Sequence, residues 1–354
     1  MLKIVVTGGA GFVGSTLCIQ LKQKYPNYEI VAFDNLKRRG SELNLIDFQK
    51  LGIPFIHGDI RNNEDILAIG NFDVLIEASA EPSVTAGLDS DPTYVINNNL
   101  YGSINCFNGC IKNNAKLIFL STSRVYPIEI IEKASFKEQE TRFVFDENQE
   151  NEGISPKGIS EKLKLDGARS FYGTTKLAGE MFIQEYAAFY GLQAAITRFG
   201  VIAGPRQMGK TDQGVVTLWM AKHFWKQSLK YIGYGGTGKQ VRDILHVDDL
   251  VDLVDLQIHQ IEKFEGKIYN VGGGLENSAS LLEMTTICEK ISGNKIAIAS
   301  EIETRPADLR IYITDNSKIE SEIGWKPKKT VENIFQDIYN WIEANEKQLE
   351  SILK

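Results

Sequence analysis

The run Lys3-Ile4-Val5-Val6-Thr7-Gly8-Gly9-Ala10-Gly11-Phe12-Val13-Gly14 constrains the fold more than any other stretch. Ile4, Val5 and Val6 are apolar and β-branched and read as a buried strand. Glycines stop that strand, and an amphipathic pattern then runs from Phe12 to about Leu21. A strand entering a Gly-rich turn and then a helix start is the context of a phosphate-binding loop. Gly8 permits the tight turn, Gly11 lets the backbone approach a pyrophosphate, and Gly14 lets the helix pack on the strand. The pyrophosphate meets the free N–H groups at the helix start, around Phe12 and Val13, where the helix dipole favours negative charge.

A second strand, Glu29 to Phe33, leads into Asp34, which lies 34−14 = 20 residues past the last glycine. An acid there accepts hydrogen bonds from ribose hydroxyls and repels a 2′-phosphate, so the pattern points to NAD over NADP. Asn35 follows directly, and the basic Lys37, Arg38 and Arg39 temper the preference; Asn35 and Arg39 join the expected cofactor-binding group. After a polar loop, Pro54 to Ile60 reads as a short strand whose Gly58-Asp59 turn is suited to flank an adenine, with Asp59 and Ile60 as contacts. Asp73 to Ala80 is the next strand, and its small terminal residues Ala78 and Ala80 leave room for a cofactor. A helix is expected from about Val95 to Asn113. Lys116 to Leu120 then forms a strand that leads into Ser121-Thr122-Ser123.

Strands alternate with helices throughout this half, which implies an α/β fold with a doubly wound parallel sheet and ligands at the strands' carboxyl ends. The glycines, Asp34, Asp59, Ala78 to Ala80 and Thr122 all fall at such ends. Residues 127–170 are charged and irregular yet contain recurrent apolar residues, and they read as an insertion or lid. A long helix from about Tyr172 to Tyr190 and a strand from Ala194 to Phe199 complete a Rossmann domain of residues 1–200. Residues 201–354 read as a smaller second domain, with helices at Val215–Gln227, Val247–Ile261, Leu281–Ser292 and Val331–Asn345.

Composition narrows the function classes. The net charge is 39−46 = −7 and no long basic run occurs, so neither nucleic acid nor an acidic membrane is an expected partner. Cys18, Cys106, Cys110 and Cys288 are scattered, with no spacing of metal ligands, and read as buried thiols; no metal is expected. No stretch of about 18 apolar residues occurs, and the chain opens directly on a strand. A reducing cytoplasm is the expected location. His57 and His246 read as structural, and Trp219 and Trp225 as packing.

Tyr172-Gly173-Thr174-Thr175-Lys176 is the second informative string. Residues four apart on a helix share a face. A lysine ammonium one turn away, together with a positively charged nicotinamide ring, favours the phenolate and lowers the tyrosine's ordinary pKa of about 10. Tyr172 could then take a hydroxyl proton while hydride leaves, with Thr122 hydrogen-bonded to the same hydroxyl.

At these residues the chain resembles the extended short-chain dehydrogenase/reductase family, over nearly its whole length. The resemblance rests on Gly8/Gly11/Gly14, Asp34, Asp59-Ile60, Thr122 with Val125-Tyr126, Tyr172/Lys176 and Arg305-Pro306. It implies that Thr122, Tyr172 and Lys176 are catalytic, with Ser123 the competing hydroxyl. It also implies that Tyr172 and Lys176 touch the cofactor and that Asn99, on a helix position that supports the site, belongs with the cofactor-binding residues. A finer resemblance is to the members that invert C2 of CDP-linked 3,6-dideoxyhexoses. It is carried by Ser121 to Tyr126, Gly158 to Glu161, Ser170 to Ala178, Arg198 to Pro205, Gln207 to Lys210, Asp212 to Val215 and Gly233 to Asp243. It implies oxidation at C2 by tightly held NAD and return of hydride to the other face. A nucleotide sugar, a CDP-linked 3,6-dideoxyhexose, is the implied substrate, and residues 201–354 mainly bind it.

Arg242 and Arg305 are the expected cations for its diphosphate, since guanidinium meets phosphate oxygens bidentately. Glu81, Ser83 and Ser123 are expected to line the sugar pocket. Two departures from the wider family stand out. Ser123 and Arg124 replace the Asp-Glu pair of sugar-nucleotide dehydratases, which argues against dehydration, and Val201 stands where many members carry Asn. The helices near Asn99 and Tyr172 form the dimer interface in the family, so a homodimer or homotetramer is expected.

Overall fold

The computed structural model describes residues 1–88, 90–209 and 214–354. Lys210, Asp212 and Gln213, which contribute to the finer resemblance, lie outside the described residues. The chain divides into two compact units: residues 1–125, 170–198 and 250–268 form the first, and residues 126–169, 199–249 and 269–354 the second.

The first unit is built on β1 (Lys3–Thr7), β2 (Glu29–Asp34), β3 (Phe55–His57), β4 (Val74–Glu77) and β5 (Lys116–Thr122). These run parallel, in the order β3-β2-β1-β4-β5. Ala194–Phe199 and then Ile268–Val271 extend the sheet to seven strands beyond β5. The order reverses between β1 and β4, and in an open α/β sheet a crevice for ligands forms at such a switch, outside the carboxyl ends. One face of the sheet buries Val5, Val31, Leu75, Leu117 and Phe119 with Phe107 and Ile183 from the helices over it. The expected doubly wound α/β fold is therefore present.

Several local expectations need adjustment. The stretch after Asp34, read as a polar loop, contains a helix at Leu45–Leu51. Leu45, Phe48 and Leu51 repeat at helical spacing, Phe48 is fully buried, and Gly52 closes the helix in the left-handed region at φ 63°. The helix expected from Val95 starts at Thr93 and passes through a π-turn at Asn97–Tyr101 before Gly102–Asn113. The strand expected to reach Ala80 ends at Glu77.

In the second unit, Val241–His246 pairs with Val201–Ala203, Ser278–Ser280 and Ile311–Tyr312. Helices Leu281–Ser292 and Val331–Ala344 each start with a capping box, Ser280 with Glu283 and Thr330 with Asn333. Residues 126–169 fold into a short helix and two hairpins, Phe136–Glu138 with Phe143–Phe145 and Ile154–Ser155 with Gly158–Ile159. They are tied into this unit by Arg142, whose guanidinium grips Glu283 from Nε (2.8 Å) and Nη2 (2.5 Å), and by the Tyr126 hydroxyl on Asn270 Oδ1 (2.9 Å). All four cysteines are free and buried. Among the described residues no helix is long and apolar enough to cross a membrane.

Candidate active site

The Gly-rich loop is shaped by contacts that leave no space for side chains. Gly8 lies in the left-handed region at φ 65°, and a Cβ on Gly14 would stand 2.1 Å from the Gly8 carbonyl oxygen. The first helix, Phe12–Lys24, therefore starts pressed against the end of β1. Gly11 is its N-cap, in extended conformation, and no side chain caps the first N–H groups. Those groups keep their capacity for an anion.

Asp34 stands at the end of the neighbouring strand. One carboxylate oxygen accepts from the Ala10 amide (3.1 Å) and the other from Leu36 (2.7 Å). Burial pushes this carboxyl above its ordinary range, and those amides oppose the shift. Next to it, Asn35 Nδ2 donates to Asp59 (2.9 Å), and Arg61 grips the same Asp59 from Nε (2.9 Å) and Nη2 (2.6 Å). The Arg61 guanidinium holds Asp59 well below the usual carboxylate range. A pocket of about 490 Å³ opens here, lined by Asn35, Lys37, His57, Gly58, Asp59 and Asn62 among others. Tyr94 forms an aromatic surface under Lys37 Nζ, 3.2 Å from the ring centroid. Ile60 is buried against Gly102, whereas Arg39 is exposed.

Beyond β4, Ala78 and Ala80 are half-buried. Asn99, fully buried, donates to the Glu81 carbonyl (3.0 Å) and accepts from the Glu81 amide (2.7 Å). The whole carboxamide is thereby used to hold the segment after β4, and Asn99 contributes by positioning. Ser83 is fixed within that segment by its amide on Glu81 Oε1 (3.2 Å) and its hydroxyl on Thr85 (3.0 Å).

The long helix Phe171–Tyr190 starts at Ser170, whose hydroxyl accepts from the Gly173 amide (3.2 Å). It lies directly on β5, since a Cβ on Gly179 would stand 2.9 Å from the Phe119 ring. Thr122 ends β5, and a short turn, Ser123–Val125, packs on the same helix. Tyr172, Lys176 and Thr122 thus share one neighbourhood of the first unit. Tyr172 is half-buried and Lys176 fully buried. Thr122 and Ser123 are both buried, and Thr122 Oγ1 accepts from the Arg124 amide (3.2 Å).

Lys176 Nζ donates to Glu77 at 2.9 Å and sits 4.4 Å from the centre of the Phe119 ring. One turn further, Glu180 binds Arg198 and takes the Ser121 hydroxyl at 2.5 Å. Sequence reasoning missed both acids. The available signal for Glu77 is a charged residue closing the apolar run Val74-Leu75-Ile76. For Glu180 it is an acid eight residues after Tyr172, on the face shared with Lys176.

Comparison with known proteins decides the family. Residues 4–272 match the model of the NAD dependent epimerase/dehydratase family. The chain belongs to that family. It is 31% identical to CDP-paratose 2-epimerase of Salmonella typhi over 97% of this chain and 100% of that protein. It is 27% identical to UDP-glucose 4-epimerase of Bacillus subtilis, over 97% and 98% of the two chains. Among solved structures, UDP-glucuronic acid 4-epimerase from Bacillus cereus, in complex with UDP-glucuronic acid and NAD, superposes with a TM-score of 0.78 at 25% identity. That match covers 97% of this chain and 99% of that one.

The protein is accordingly an NAD-dependent enzyme of the epimerase/dehydratase family, and its own residues fit the cofactor. The loop at Gly8–Gly14 is bare backbone at its glycines, and the first helix starts with no side-chain cap on its N–H groups. Asp34, at the end of the strand beside the loop, carries the acceptor oxygens a ribose hydroxyl would need, and the pocket beside Asn35 and Asp59 lies next to it in sequence.

In the second unit, Arg242 Nη2 pairs with Asp308 at 2.7 Å and Nη1 donates to the Val241 carbonyl (2.8 Å). Arg305 is half-buried close by in sequence, and its carbonyl accepts from the Asp308 amide (3.3 Å). Arg310 lies 4.1 Å from the Phe136 ring centre and 5.1 Å from that of Tyr234. His246 is buried and its Nδ1 accepts from the Asp248 amide (2.9 Å), capping the helix that follows. Trp219 is buried, stacks on Tyr231 and donates to Thr285 (3.0 Å). Among the described residues no cluster of three or more His, Cys, Asp or Glu could hold a metal.

Proposed function

We propose that the protein inverts C2 of a CDP-linked 3,6-dideoxyhexose, interconverting CDP-paratose and CDP-tyvelose. The observation that carries this reading is the end-to-end likeness to CDP-paratose 2-epimerase at 31% identity. Ser123 and Arg124 after Thr122 support it, because neither is a carboxylic acid that could drive dehydration.

The C2–H of such a sugar has no neighbouring carbonyl and is not acidic, so proton abstraction alone does not invert it. When bound, NAD supplies reversible oxidation at that carbon. The chain's residues do the rest. Tyr172 takes the C2 hydroxyl proton and later returns it, with Lys176 as the nearby cation. Thr122 Oγ1 hydrogen-bonds the same hydroxyl, with Ser123 Oγ as the alternative. We assign NAD to the first unit through Gly8, Gly11, Phe12, Val13, Gly14, Asp34, Asn35, Asp59 and Ile60. We assign the CDP diphosphate to Arg242 and Arg305 of the second unit, and the sugar to the segment Glu81–Ser83. The long helix leaves Met181, Phe182, Phe189 and Tyr190 exposed, at 61, 42, 76 and 68%. Tyr101, on the neighbouring helix, is 58% exposed. We assign this apolar stripe to contact with a second copy of the chain. Four free, buried thiols fit a reducing cytoplasm.

Likeness to UDP-sugar 4-epimerases supports a second reading, epimerisation at C4 of a UDP-hexose. Proton NMR of the purified protein with CDP-paratose in deuterated water, without added NAD, separates the two. Conversion to CDP-tyvelose with C2 still protonated is the expected result. Deuterium at C2 would overturn the redox route, and turnover of UDP-glucose in place of CDP-paratose would overturn the substrate.

A further inference from the structure

Glu77 ends β4, a central strand of the sheet, after Val74, Leu75 and Ile76. It shares a strand face with Leu75, which is buried with Cys106, Phe107 and Phe119. An isolated carboxylate in such surroundings gives up its charge. Glu77 instead meets Lys176, with Oε2 2.9 Å from Nζ, and the two side chains are 0% and 2% exposed. Oε1 is buried with no hydrogen-bond partner among the described residues.

Among the described residues, the other groups around the pair are neutral or already paired. The Ser103 hydroxyl, on helix Gly102–Asn113, donates to the Asn99 carbonyl, and the Thr7 hydroxyl, on β1, to that of Ile76. The Cys106 thiol, from the same helix as Ser103, is held protonated by burial. Phe119 of β5 presents its ring to Nζ. On the long helix, Glu180 is committed to Arg198 and Ser121, which leaves Tyr172, one turn before Lys176, as the remaining titratable neighbour on that helix face. Burial pushes the Glu77 carboxyl upward and Lys176 opposes the shift.

A buried ammonium without a counter-charge sheds its proton, and a neutral lysine cannot favour a phenolate. We propose that Glu77 is a positioning residue for proton transfer: its carboxylate keeps Lys176 a fixed cation one helical turn from Tyr172. Glu77 thereby sets the pH at which Tyr172 can accept a proton. The proposal rests on the Tyr172–Lys176 reading above.

The test is an ultraviolet titration of the tyrosinate band in NAD⁺-loaded protein. Subtracting the Tyr172→Phe variant isolates one tyrosine among 13. Tyr172→Phe and Lys176→Met are each expected to abolish turnover, which checks the Tyr172–Lys176 reading apart from the titration of Tyr172. In Glu77→Gln the ionisation is expected about one pH unit higher or more, as the lysine charge is lost. Glu77→Asp, which keeps the charge but withdraws it by one methylene, is expected to shift the same way by less. It also serves as the test if Glu77→Gln does not fold. Turnover unchanged in Tyr172→Phe or in Lys176→Met would sink the Tyr172–Lys176 reading itself. A Tyr172 titration unmoved by Glu77→Gln, or by Glu77→Asp where only that variant folds, would sink the Glu77 proposal alone. A still lower value in Glu77→Gln would also overturn it, since Glu77 would then be cancelling the lysine.

Discussion

Replacing Glu180 by Gln removes a negative charge from a site that holds Arg198 in a dry interior. The two side chains are 1 and 5% exposed. Arg198 Nε reaches both carboxylate oxygens at 3.0 and 3.1 Å, Nη2 reaches one at 2.7 Å, and Ser121 Oγ adds a fourth contact at 2.5 Å. Leaving one partner of a buried pair uncompensated costs about 3–5 kcal/mol, the loss expected for Glu180→Gln. Removing both charges in Glu180→Met/Arg198→Met restores an apolar interior. The remaining deficit is then about 1–2 kcal/mol, from the stranded Ser121 hydroxyl.

The assay must report the first unit, which contains both partners. Tryptophan fluorescence does not, because Trp219, Trp225, Trp325 and Trp341 all lie in the second. Urea unfolding followed by far-ultraviolet circular dichroism, with native-state amide exchange across Phe171–Tyr190, reads the right region. A Glu180→Gln variant within about 1 kcal/mol of the unaltered protein would refute the reasoning, as would a double variant as unstable as the sum of the singles.

Two further predictions concern the second unit and assembly. Burial pushes the Asp243 carboxyl up from an ordinary 3.8 to about 6. The folded state then holds the extra proton between those values, so stability falls as pH rises from about 4 through 6, by about 3 kcal/mol in all. Asp243→Asn should abolish that component, and parallel urea titrations at pH 5, 6 and 7 with a constant difference between the two proteins would contradict it. Met181→Glu/Phe189→Glu should convert a dimer or larger assembly to a monomer in light scattering; an unchanged mass would remove the stripe on the long helix as the contact surface.

The sequence by itself determined the fold class and named the candidates for the chemistry. Strand, Gly-rich turn and helix follow one another within residues 3–24, so local periodicity and glycine spacing were enough to read them. Tyr172 and Lys176 were legible for the same reason, because helical spacing alone puts them on one face. The Leu45–Leu51 helix was legible in principle, since Leu45, Phe48 and Leu51 repeat at helical spacing, but seven residues are a short window for that pattern.

What only the tertiary structure decided is which charges meet. Glu77 and Lys176 are separated by 99 residues and Ser121 and Glu180 by 59, so no local pattern could pair them. Glu77 and Glu180 are acids that the sequence would assign to solvent. The close approach of the long helix to β5, at Gly179 against Phe119, draws them inside, where burial makes a partner obligatory. Asn99 is similar: its type is readable in sequence, but its hold on the Glu81 backbone exists only once the segment after β4 folds over the π-turn.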